Sequence, residues 1–354
     1  MKKTTKTILV APLNWGLGHA TRCIPIINQL IKNGFNPIIA SDGKPLELLK
    51  KEFPDLKILE LPSYNIEYAK KGANFKWKII KNSPKLLEAI FTEKKIIQGW
   101  IAEYKIEGII SDNRLGVYSK KVPSVFITHQ LNVLSGKTTW ISSKLHQYFI
   151  RKFTECWVPD VFNSPNLTGK LGHLKNSTLN LKYIGPLSRL EKKEVPIKYD
   201  LTILLSGPEP QRTILEDKLK KQICGYSGKI LFISGIIESE QKIVEQEQVT
   251  FYNFMTTLEI ESAINESKML LCRSGYTTIM DLAKLDTKAF FIPTPGQFEQ
   301  EYLAKRLKRN KLLPYASQDD FKIENLLEVD SYCGLPHSKE ENNWKQLLIL
   351  FESE

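Results

Sequence analysis

Cysteine is sparse in this chain of 354 residues. The five present, Cys23, Cys156, Cys224, Cys272 and Cys333, are scattered, with no C-x-x-C pair and no Cys/His cluster at metal-ligand spacing. That pattern excludes a disulfide framework and a structural zinc site, and it fits free thiols in a reducing compartment. Long apolar runs are missing as well. None approaches the roughly 20 residues that span a bilayer, and the stretch ILVAPL behind the N-terminal lysines is shorter than a signal-peptide core. The expected location is therefore cytoplasmic, either free or peripheral on the inner face of a membrane. No short repeat or low-complexity tract interrupts the chain, which excludes a solenoid. Its basic residues are not interleaved with a nucleic-acid reader motif, so nucleic acid is not an expected partner.

Charge is present but unevenly placed. Residues 1–190 hold 29 Lys and Arg against 13 Asp and Glu, a net +16; the remainder holds 21 against 26, a net −5, together the +11 of the whole chain. A basic half and a mildly acidic half are expected to face different partners, and the basic one suits an anionic membrane surface. The Lys-rich amphipathic segment from Phe75 to Tyr104, with Trp77 and Trp100, and the aromatic segment from Trp140 to Lys152 are the candidates for that contact. A solvated helix face explains the same residues as well.

Strands and helices alternate. Ile8–Ala11 reads as a first strand, Asn14–Gly18 as a glycine loop and His19–Lys32 as an amphipathic helix ended by Asn33-Gly34. Further strands are expected at Pro37–Ser41, Lys57–Leu61, Gly108–Ser111, Ser124–Thr128, Cys156–Val158 and Lys182–Ile184. Helices are expected at Pro45–Phe53 and Thr139–Phe153. The second half repeats the pattern, with strands at Leu201–Leu205, Lys229–Ile233, Val249–Tyr252, Met269–Leu271 and Lys288–Ile292, separated by helices starting near Gln211, Thr256, Tyr276 and Phe298. The fold class is α/β, with two Rossmann-like domains facing across a cleft. The expected domains are 1–186 and 200–335, joined by a linker at 187–199. Residues 336–354 form a C-terminal helix that packs back on the first domain.

The polar clusters of such a fold belong at strand C-termini, where open parallel sheets bind ligands. In the first half these are Gly16 and Gly18, then His19, Asp112 and the segment His129 to Asn132. In the second half the most informative stretch is Leu271 to Glu301. A strand stops at Arg273-Ser274-Gly275 and a helix begins at Tyr276, placing Ser274 and Thr277 at a helix N-terminus, which attracts phosphate. Asp281, one turn further in, is placed to accept hydrogen bonds from sugar hydroxyls. Gln297, Gln300 and Glu301 crowd the start of the following helix.

These residues carry a resemblance. The run CRSGYTTIMDLAKLDTKAFFIPTPGQFEQEYLAKRL resembles the C-terminal domain of glycosyltransferase family 28. The glycine loop ending in His19, His129-Gln130-Leu131-Asn132, and Tyr183-Ile184-Gly185-Pro186 are similar to other segments of that family. The resemblance implies the GT-B fold, a nucleotide-sugar donor, with a UDP-sugar expected, held by the second domain, and a lipid-linked or glycan acceptor held by the first. It implies that Asp281 binds the ribose, Ser274 to Thr277 the diphosphate and Phe254-Met255 the base, that Gln297, Gln300 and Glu301 contact the donor sugar, and that His19 sits at the reacting centre. Two loops depart from the family pattern. Asn14-Trp15 stands where glycines are usual, and Ser206 to Pro210, with Gly207 alone, replaces a glycine-rich turn; Arg212 is the expected source of charge there. Asp-x-Asp, the metal-binding pair of other glycosyltransferases, is absent, so no metal and no cofactor are expected. The acceptor's proton needs a base, and His19 and Asp112 are both candidates; a helix-capping or turn role accounts for either one equally. A nucleotide-sugar 2-epimerase on the same fold, or a non-catalytic sugar-nucleotide sensor, is the competing reading.

Overall fold

The structure, a computed structural model, describes residues 5–64, 75–236, 238–336 and 343–352, with 75–85 described by their backbone alone. Trp77 and the lysines around it therefore lie outside the described side chains. The described residues divide into two compact units, one running to Leu187 and taking in 343–352, the other spanning 188–336.

The first unit is a doubly wound parallel sheet. Its strands are β1 (Thr7–Pro12), β2 (Asn36–Ser41), β3 (Lys57–Glu60), β4 (Ile106–Asp112), β5 (Ser124–Ile127), β6 (Glu155–Val158) and β7 (Leu181–Tyr183), in the order β3-β2-β1-β4-β5-β6-β7. Every neighbouring pair is parallel. Helices α1 (Gly18–Lys32), α2 (Gly43–Glu52), α3 (Phe75–Glu103) and α4 (Thr139–Ile150) make the crossovers. Both faces are covered, which is why Ile8, Leu9, Val10 and Ala11 run apolar without alternation and are all fully buried. The order reverses between β1 and β4, where Pro12 pairs with Asp112, and the crevice beyond their C-terminal ends is the expected ligand position. The C-terminal helix α9 (Trp344–Leu348) completes this unit, and Phe351 behind it meets the buried Trp157 ring edge-on at 6.3 Å.

The second unit has β8 (Leu201–Leu204), β9 (Ile230–Ile233), β10 (Ile243–Gln246), β11 (Val249–Tyr252), β12 (Met269–Cys272) and β13 (Lys288–Phe291), in the order β10-β11-β9-β8-β12-β13. All pairs are parallel except β10 with β11. Its helices are α5 (Gln211–Gln222), α6 (Thr257–Asn265), α7 (Tyr276–Leu285) and α8 (Phe298–Arg309). Here the order reverses between β8 and β12, where Leu204 pairs with Cys272.

Three features differ from the expectations. Strand β10 was not foreseen: it is an edge strand with all four residues exposed, so nothing apolar marks it. Helix α4 ends at Ile150, a turn before Phe153, because the chain closes there into tighter turns, Lys152 N–H donating to Phe149 O and Phe153 N–H to Ile150 O. Residues 187–199 are not a free tether. Glu191 N–H donates to the Glu261 carboxylate at 2.8 Å, Lys193 N–H to Asn265 Oδ1 at 3.0 Å and Lys198 N–H to Glu266 O at 2.8 Å, so the segment is docked along α6.

Candidate functional site

The switch point of the first unit holds a closed polar cluster. Asp112 ends β4 with no exposed surface. The Arg22 guanidinium, one turn along α1 from His19 and 2% exposed, donates through Nε to Asp112 Oδ2 at 2.5 Å and through Nη2 to Asp112 Oδ1. His19 Nδ1 lies 3.0 Å from Asp112 Oδ1 and 2.7 Å from Arg22 Nη2, and His129 Nδ1 lies 3.3 Å from Arg22 Nη1. A guanidinium only donates, so a bare Nδ1 accepts from Arg22, whereas a protonated Nδ1 donates to Asp112 and leaves Nε2 bare. Burial lowers the His19 pKa, the Arg22 charge lowers it further, and Asp112 acts against both; the net direction is down. Burial pushes the Asp112 carboxyl up, but the Arg22 and His19 charges outweigh it and hold it below the ordinary carboxylate range.

These contacts separate the two candidate bases. Both Asp112 oxygens are engaged inside the protein, so no acceptor hydroxyl reaches them, while His19 keeps 14% of its side chain exposed. Arg22 was missed by the sequence reading. Its signal was a charge on the buried stripe of an amphipathic helix, three residues after His19 and therefore on the same face. Around the cluster, Gly16 turns the loop at φ 72° and Gly18 opens α1. Asn132 is anchored by its Nδ2, which donates to Lys170 O at 2.5 Å. The unusual Asn14 also has a role: its Nδ2 donates to Asp42 Oδ2 at 2.8 Å and occupies the space of a Cβ on Gly43, 2.6 Å from where that atom would sit.

In the second unit the expected residues gather at the C-terminal edge of β8, β12 and β13, but several side chains turn inward. Arg273 is 1% exposed and donates only to neutral oxygens: Ile292 O at 3.1 Å, Pro293 O at 3.2 Å, Gln211 O at 2.9 Å and Gln318 Oε1 at 2.7 Å. It ties three loops together from below and presents no side-chain fork to a ligand. Burial lowers its pKa to about 10. Ser274 is fully buried, its hydroxyl donating to Gln300 O at 2.8 Å. Arg212, expected to supply charge to a diphosphate, is neutralised by Glu209 at 2.6 Å and Glu216 at 2.5 Å. Gly275, the N-cap of α7, has no side chain to cap the helix, and the buried Tyr276 and half-buried Thr277 follow it.

Gln300 locks the β13–α8 loop, accepting from Thr294 N–H at 2.8 Å and donating to Gln297 Oε1 at 2.6 Å. Glu301 accepts from Gly296 N–H at 3.0 Å. Met255 packs against the apolar cluster of Leu231, Ile233 and Ala263, with Phe254 beside it half-buried at the end of β11. Asp281 accepts from Ser188 Oγ at 2.6 Å, and burial raises its pKa to about 6 against the weaker opposing effects of Ser188 and Arg189. Ser188, like Arg22, had no assigned role in the sequence reading. No group of three or more His, Cys, Asp or Glu able to hold a metal occurs among the described residues.

Comparison with known proteins places these residues in a family context. Residues 212–348 match the glycosyltransferase family 28 C-terminal domain. The UDP-N-acetylglucosamine--N-acetylmuramyl-(pentapeptide) pyrophosphoryl-undecaprenol N-acetylglucosamine transferase of Haemophilus ducreyi is 23% identical over 60% of this chain and 59% of its own length. The protein of the same name from Glaesserella parasuis is 23% identical over 92% of this chain and 89% of its own. Among solved structures, MurG of Acinetobacter baumannii superposes with a TM-score of 0.57 at 13% identity, covering 98% of this chain and 99% of that one. At that identity the likeness shows the fold, two Rossmann-like domains.

Proposed function

We propose that this chain, whose residues 212–348 match the glycosyltransferase family 28 C-terminal domain, is a glycosyltransferase that moves a sugar from a UDP-sugar to a lipid-linked or glycan acceptor with inversion and without a metal. The observation that carries the mechanism is the His19–Asp112–Arg22 cluster at the first unit's switch point. In this reading the acceptor hydroxyl attacks C1 of the donor sugar, the bond from C1 to the diphosphate oxygen breaks, and His19 Nε2 takes the hydroxyl proton. Asp112 keeps the imidazole in the Nδ1–H tautomer, as the third member of a catalytic triad does, and Arg22 holds Asp112 ionised. A lowered His19 pKa keeps the base neutral at physiological pH. The leaving diphosphate is assigned to the N-terminus of α7, where the helix dipole and backbone N–H groups stabilise negative charge. Asp281 is assigned to the ribose, displacing Ser188, with Phe254 and Met255 at the base and Gln297, Gln300 and Glu301 toward the sugar.

The acceptor side is proposed to meet an anionic membrane surface. Helix α4 leaves Trp140 (71% exposed), Ile141, Leu145 and Tyr148 in solvent, with Lys137, Lys144 and Lys152 beside them, the composition of an interfacial face. No described helix is long and apolar enough to cross a bilayer.

The test is UDP release from a panel of UDP-sugars with a membrane lipid extract as acceptor. Release is expected only with acceptor present, and His19→Ala should lower it at least about 100-fold while leaving UDP affinity within about twofold. Interconversion of UDP-sugars without acceptor would instead favour the 2-epimerase reading.

A further inference from the structure

Four buried side-chain atoms lack a hydrogen-bond partner among the described residues, and two of them, Arg273 Nε and Thr294 Oγ1, lie at the second unit's switch point. Thr294 is 2% exposed. Its backbone is fixed at both ends, its N–H donating to Gln300 Oε1 at 2.8 Å and its carbonyl accepting from Gln297 N–H at 3.1 Å. The hydroxyl is therefore held, not left over from a loose loop. It belongs to the loop after β13, while Gly207 belongs to the loop after β8, with β12 between them. Those strands are about 10 Å apart, yet a Cβ on Gly207 would sit 3.5 Å from Thr294 Oγ1. The hydroxyl thus reaches over the end of β12 toward an exposed turn that has no side chain, at φ 109°, a conformation suited to glycine.

The Arg273 guanidinium donates to the loop that carries Thr294, at Ile292 O and Pro293 O, and its four acceptors are all uncharged. An unmet hydroxyl and an uncompensated cation are each costly when buried. One ligand chemistry relieves both, an anion with oxygen acceptors. We infer that Thr294 is a binding residue for the donor's diphosphate, donating its hydroxyl to a phosphate oxygen above Arg273 once the Gly207 turn lifts to admit it. The resemblance assigns Thr294 no role. The inference rests on the nucleotide-sugar reading and adds to it the residue that replaces the missing glycine-rich turn.

Thr294→Val, which keeps the shape and removes the hydroxyl, tests this by two measurements. Without ligand the variant should melt about 2–4 °C higher, because a buried unmet polar group is gone. In calorimetric titration it should bind UDP about 10-fold or more weakly, the loss of one hydrogen bond to a charged group, and uridine as the wild type does; Thr294→Ser should restore UDP affinity. Unchanged UDP affinity in Thr294→Val, or a lower melting temperature without ligand, overturns the inference while leaving the nucleotide reading intact. A wild-type protein that binds no UDP overturns both.

Discussion

The ribose role proposed for Asp281 carries a cost to stability. Its folded pKa of about 6 stands above the ordinary 3.8 because burial disfavours the carboxylate. A raised acid contributes stability that is fully present below pH 4 and lost as the pH rises through 6. Asp281→Asn should therefore stabilise the protein by about 3 kcal/mol at pH 7.5, with the difference from wild type nearly vanishing near pH 4; chemical denaturation at the two pH values reads this directly. An equal effect at both would assign the change to packing instead. Arg22 makes the opposite case. Arg22→Met leaves the buried Asp112 carboxylate unpaired, so it should cost about 3–5 kcal/mol of stability, measured by the same unfolding curves, and a loss below 1 kcal/mol would mean the pair is not sealed. Motif spacing marks His19 and Asp281 as candidates in the sequence, and both lie at strand-terminal edges or on the helix that follows one. The sequence hid Arg22, Ser188 and the inward turn of Arg273 and Ser274, since whether a polar side chain faces ligand or core depends on partners distant in the chain, such as Asp112 and Gln300.

Among the elements, α4 leaves a cluster of large apolar side chains exposed. Phe149 packs it toward Ala89 and Ile90 of α3, while Trp140, Ile141, Leu145 and Tyr148 stay exposed. Trp140→Ser with Leu145→Ser should reduce co-sedimentation with vesicles containing anionic lipid at least about 10-fold and leave UDP affinity unchanged. Equal co-sedimentation would make this face a solvated one. Most elements were readable from apolar runs and helical spacing, as α1 and α7 show. Strand β10 was not, because its place in the sheet comes from backbone pairing with β11 and its side chains are all exposed. The segment 187–199 reads as a linker because its partners, Glu261, Asn265 and Glu266 for its backbone N–H groups and Glu261, Glu266 and Asp286 for its lysines, lie 68 to 94 residues further along the chain.

At the scale of the whole molecule, two sheets, parallel except for the β10–β11 edge pair, each carry a switch point: the His19–Asp112–Arg22 cluster lies at the first, and the N-terminus of α7, the proposed anion site, at the second. The alternation of strands and helices made that architecture legible, and the strand-terminal polar clusters made both edges legible. The charge split, +16 against −5, accords with the proposed assignment of the acceptor to the basic unit and of the donor to the other, where oriented dipoles and one buried arginine, and not surface charge, would attract phosphate. The central claim is that the second unit holds a UDP-linked donor through Asp281 and the α7 N-terminus. Isothermal titration of the full chain with UDP tests it most directly: the account predicts one site per chain, weakened at least about 10-fold by Asp281→Ala, and no binding at millimolar UDP would contradict it.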